Sequence, residues 1–99
     1  MSLNFEFIGW CVEGNHDKVW VCIELQRNEI NTTYLTCWGR RGKKLQTKVV
    51  TETSWNIFKL IESKRNKGYQ EVDNSMLRTV YPDFEKDLAK TAFWASFKI

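Results

Sequence analysis

Proline occurs once in this 99-residue chain, histidine once and cysteine three times, and no long apolar run is present. A single proline excludes collagen-like and proline-rich linker chains, and 42% hydrophobic residues with 27% charged exclude a chain too polar to fold. No apolar stretch approaches the roughly 18 residues of a membrane helix, and the start MSLNFEF lacks the basic, apolar and small-residue regions of a signal peptide. A cytoplasmic protein with no membrane partner is expected. Cys11, Cys22 and Cys37 are odd in number, and no two stand at zinc-ligand spacing, so neither a disulfide framework nor a metal site is supported and no cofactor is expected. The lone His16 falls in a polar turn, which leaves little from which to build a nucleophile–base pair with a cysteine and Asp17. No enzymatic activity is expected.

Charge of one sign is abundant in one place. From Trp38 to Gly68 the chain carries nine cations (Arg40, Arg41, Lys43, Lys44, Lys48, Lys59, Lys64, Arg65 and Lys67) against Glu52 and Glu62, while the rest of the chain is net acidic. Like charges crowded on a sheet repel, so a concentrated basic segment marks an anion-binding face, with nucleic acid the commonest polyanion.

Periodicity places these residues. Phe5, Phe7 and Gly9 alternate with Glu6, Ile8 and Trp10, and Val19, Val21, Ile23 and Leu25 alternate with Trp20, Cys22, Glu24 and Gln26, as in two strands. The polar clusters Glu13 to Asp17 and Arg27 to Asn31 read as connections between antiparallel neighbours. A third strand from Thr32 to Arg41 turns through Gly42-Lys43-Lys44 into a fourth, Leu45 to Val50. Period two sets Tyr34, Thr36, Trp38 and Arg40 on one face of the third strand, which offers Tyr34 as a second stacking surface beside Trp38. Gly39 lies between Trp38 and Arg40 on the opposite face, where it leaves the backbone open to a close approach.

From a Thr53 or Ser54 cap the pattern becomes helical, with Trp55, Phe58, Leu60 and Ile61 as the apolar stripe, ending near Asn66 with Gly68 as the stop. Trp10, Trp20, Trp55 and Trp94 are assigned to packing, with Trp20 set apart by its polar neighbours, and Tyr69 is expected under the helix end. Later, Pro82 suits a first helical position, with Phe84, Leu88, Thr91 and Ala92 toward the core, and the stretch Phe93 to Ile99 reads equally as strand or helix.

The run Tyr34-Leu35-Thr36-Cys37-Trp38-Gly39-Arg40-Arg41-Gly42, with Gln46 and then Lys64, Gly68 and Tyr69, resembles the WGR domain. Phe5-Glu6-Phe7 and Lys18-Val19-Trp20 are similar to that family's opening strands. The resemblance covers about residue 4 to Val72. It implies an α+β domain over residues 1–72, a small antiparallel sheet of about four strands packed with one main helix. Residues 73–99 lie outside the resemblance and are expected to form a short helical or strand extension on the same core. It also implies a module that binds DNA, or RNA, at ends or breaks: Trp38 packs on a terminal nucleotide and Arg40 holds phosphate. Gly39 belongs to the motif, and Arg41, Lys43, Lys44, Lys48 and Lys64 widen the electrostatic footprint. The chain departs from the family pattern at Leu45, where a glycine is usual, and at Arg41, so another turn geometry is expected at the hairpin tip. The competing expectation is a non-catalytic interaction module that docks an acidic protein through the same basic face.

Overall fold

The computed structural model describes residues 3–91. Five antiparallel strands, β1 (Asn4–Glu13), β2 (His16–Arg27), β3 (Thr32–Arg40), β4 (Gln46–Glu52) and β5 (Gln70–Glu71), form one sheet in the order β4-β3-β2-β1-β5. Helix α1 (Ser54–Asn66) precedes β5, and α2 (Asn74–Val80) and α3 (Phe84–Ala89) follow it. The class is α+β. The sheet gains β5 beyond the expected four strands, and α2 joins the helix expected near Pro82. No helix among the described residues is long and apolar enough to cross a membrane.

Both faces of the sheet are covered, which accounts for a β2 that is buried without a break from Val19 to Ile23. On one face Ile57 and Ile61 of α1 pack over Phe7, Trp20, Cys22 and Tyr34. On the other, Leu77, Tyr81, Phe84 and Leu88 of the α2–α3 segment pack over Ile8, Val19, Val21, Ile23, Leu35, Cys37 and Leu45. A half-covered antiparallel sheet would instead alternate apolar and polar along each strand.

Two irregularities in register set which side chain meets which helix. The ladder slips between Phe5 and Phe7, leaving Glu6 unpaired, so Phe5 joins the α3 face beside Phe84 while Phe7 joins the α1 face. Simple alternation would have put both on one face. A second slip between Glu24 and Gln26 brings Trp20 opposite Trp38 and Lys18 opposite Arg40.

Thr53 caps α1, its hydroxyl accepting from the Asn56 N–H at 3.2 Å. The helix closes at Lys67, and Gly68, at φ 102°, takes the left-handed conformation that reverses the chain. Tyr69 then packs under the helix end and β5 pairs with β1. The apolar stripe differs from expectation: Ile57 and Ile61 are buried, whereas Trp55 and Phe58 are 61% and 52% exposed. Trp55 is therefore not a packing residue of the core. Pro82 precedes α3 rather than opening it, with Asp83 at the cap position. Phe84, Leu88 and Thr91 are buried, while Ala92 and Phe93 to Ile99 lie outside the described residues.

Candidate nucleic-acid interface

Trp38 lies near the end of β3, half-buried against the α1-side core. Cross-strand pairing surrounds it with Trp20 on β2 and Gln46 on β4, while Arg40 and Lys18 form the next same-face pair and Thr36 and Lys48 the previous one. The return of α1 brings two more groups to this surface. The Lys64 ammonium lies 5.4 Å from the Trp20 ring centroid, and the Lys18 ammonium 5.7 Å from that of Tyr69. Lys18 comes from outside the basic segment, and only the register reveals it.

The cations here are crowded. Partial burial pushes the Lys64 pKa below its ordinary value, and the neighbouring Lys67 and Lys18 push it further down. Among the described residues, Lys18, Arg40, Lys48, Lys64 and Lys67 have no carboxylate within ion-pair distance. Arg40 donates from Nη1 to the Asn15 carbonyl at 2.9 Å, which braces it against the β1–β2 turn while its other donors stay open. An anion here would relieve the mutual repulsion and find an indole face beside it.

Gly39 has a backbone role. At φ 151° its conformation suits glycine, and an added Cβ would stand 3.3 Å from Leu45 Cδ2 and 3.3 Å from the Lys44 carbonyl. Leu45 thus tucks under the strand into the α3-side core. No non-glycine residue among those described needs a positive φ. Gly39→Ala is expected to cost roughly 1–3 kcal/mol, read as a lowered urea midpoint with an unchanged m-value.

Two other residues of the basic-aromatic run do not reach this surface. Tyr34 is 1% exposed, sealed beneath α1, so it offers no face for stacking. Arg41 turns to the α2 side. Its Nε and Nη2 both donate to Asp17 Oδ2, at 3.1 and 2.8 Å, its Nη1 donates to the Val80 carbonyl, and its guanidinium lies 5.3 Å from the Trp10 ring centroid. Its charge is neutralised by Asp17 and its donors are spent on the fold, which removes it from the electrostatic footprint.

The same cluster makes a pH-dependent contribution to stability. The Trp10 indole, donating to Asp17 Oδ1 at 2.9 Å, and the Arg41 guanidinium hold the Asp17 carboxyl below its ordinary value of 3.8, with burial acting in the opposite sense. A carboxyl depressed in the folded state stabilises above its unfolded value, and that stability disappears as pH falls through the folded value. Asp17→Asn is expected to lose about 1 kcal/mol at neutral pH and to flatten the acid limb of a stability-against-pH curve below about pH 4.

Lys43 and Lys44 are exposed at the hairpin tip, apart from the Trp38 surface and beside α3. The three cysteines are free and buried. Burial pushes the Cys22 thiol up to about 12 and the Cys37 thiol higher still, so both remain protonated near neutral pH. Compared with known proteins, the chain matches no family model, no curated protein and no solved structure.

Proposed function

We propose that this chain is a WGR-like nucleic-acid-binding module that holds the end of a strand, DNA in preference to RNA. Trp38 stacks on the terminal nucleotide and Arg40 grips the adjacent phosphate. Lys18, Lys48 and Lys64 add sequence-independent attraction through counterion release. The observation that carries this reading is the half-buried Trp38 set among cations that have no carboxylate partner among the described residues. An exposed terminal base presents the flat face an indole needs, whereas an internal base pair presents none. Binding is therefore selective for ends and indifferent to sequence, and it involves no catalytic step.

The test is competition against a labelled duplex with a 5′-phosphorylated end, followed by anisotropy at fixed salt. Unlabelled linear duplex is expected to compete well and closed circular DNA of equal nucleotide concentration poorly. Equal competition by both would end the end-recognition reading. It would favour instead a module docking an acidic protein, for which the exposed Trp55 and Phe58, stacked at 5.6 Å, offer a contact surface. Such a module would show only the weak, nonspecific DNA affinity of any basic patch.

A further inference from the structure

Beyond the Trp38 surface, the α2–α3 segment builds a second cationic site with the hairpin tip. A hollow of about 320 Å³ is lined by Gly42, Lys43, Lys44, Asp87, Lys90 and Thr91. Its walls are held in place. The Lys43 N–H donates to the Arg40 carbonyl at 3.0 Å, the Arg41 N–H to the Asp17 carbonyl at 2.9 Å, and the Arg41 side chain reaches the Val80 carbonyl. The Tyr81 hydroxyl donates to Asp87 Oδ2. Thr91 is buried, with its hydroxyl donating to the Leu88 carbonyl at 2.7 Å.

Charge in the hollow is unbalanced. Asp87 is the only carboxylate among the lining residues, and it already accepts from Tyr81; the Lys90 ammonium stands 3.9 Å from its other oxygen. Lys43 and Lys44 have no carboxylate within ion-pair distance among the described residues. Three lysines and one carboxylate therefore line the hollow. Gly42 adds no side chain, and an added Cβ there would meet nothing within 4 Å.

We infer that this hollow is a phosphate subsite, and that it takes a backbone phosphate of the same strand whose end is held at Trp38. The inference rests on the end-binding reading. The hairpin tip separates the two sites, with Trp38 on the α1 side and the hollow on the α3 side. The strand would cross that ridge. Lys90 thereby makes the α2–α3 segment part of the binding surface rather than only a cover for the sheet.

The test uses the full chain and its Lys90→Ala variant, whose changed side chain is exposed and whose fold is checked by thermal unfolding. Affinity for a 5′-phosphorylated stem-loop DNA is measured across a salt series. The variant is expected to lose about 1 from the magnitude of the log–log salt slope, with linear and circular competitors weakened by the same factor. In the parent chain, backbone amide shifts at Lys43, Lys44, Lys90 and Thr91 are expected with the stem-loop and not with inorganic phosphate alone. An unchanged slope in Lys90→Ala, while the parent chain still prefers ends, overturns the subsite and leaves the end-binding reading standing. Shifts caused equally by inorganic phosphate would make the hollow a site for a free anion and overturn its assignment to the strand. Absence of DNA binding by the parent chain overturns both.

Discussion

A Trp38→Ala variant is expected to lose the preference for linear over circular DNA while retaining most of its weak, salt-sensitive attraction to any duplex. Stacking of a base on an aromatic ring contributes about 1–3 kcal/mol in single-strand binders, which corresponds to roughly 5- to 150-fold in affinity for an end. Charge alone cannot supply that selectivity, because Lys18, Arg40, Lys48 and Lys64 would attract phosphates anywhere along a duplex. Trp38 also packs against the α1-side core, so alanine costs some stability as well. Trp38→Leu separates the two effects, since an isobutyl side chain keeps much of the apolar contact and offers no aromatic face. End preference that persists in a folded alanine variant would remove Trp38 from the assigned role.

Phe84→Ala is expected to destabilise the whole domain by about 3–5 kcal/mol. Phe84 is 2% exposed and lies between two aromatic neighbours, Phe5 at 6.1 Å and Tyr81 at 5.7 Å between ring centroids. Total stability for a domain of this size is about 5–15 kcal/mol, so the loss corresponds to a fall in Tm of about 15–30 °C. Far-UV and near-UV circular dichroism should report one shared transition, because the α3 side chains and the sheet interior belong to one apolar cluster. A variant in which the sheet keeps its midpoint while the helices melt early would mean that residues 73–91 dock as a separate unit. The same variant probes the hairpin tip, since displacement of α2 would free Arg41 from the Val80 carbonyl.

Much of the fold was legible because its signals are local. The Gly14 turn, the Gly42 tip, the Thr53 cap and the Gly68 stop each act within a few residues, so strands β1 to β4 and helix α1 could be placed without tertiary contacts. The neighbourhood of Trp38 and Arg40 on one strand face follows from period two alone. Strand β5 has two residues and α2 seven, both too short to carry a periodic pattern. Residue type does not reveal the buried stripe of α1, because Trp55 and Phe58 are apolar but exposed, while Ile57 and Ile61 meet the sheet.

The sequence by itself determined the class of fold, the basic segment and the pairing of an indole with a guanidinium, since these depend on residue type and short spacing. Only the tertiary structure decided which charges remain available. Arg41 is indistinguishable in sequence from its neighbour Arg40, yet the turn of the chain delivers it to Asp17, Trp10 and Val80, while Arg40 faces the other way. Tyr34 shares the Trp38 face but lies under α1, a consequence of where the helix crosses the sheet. The slip between Glu24 and Gln26 had the largest effect on the site. Without it the ladder from Arg27 and Thr32 would set Val21 opposite Trp38, and Trp20 and Lys18 would point to the other face. A one-residue offset reverses every side chain beyond it, and the backbone contacts that settle such an offset lie between strands rather than along one.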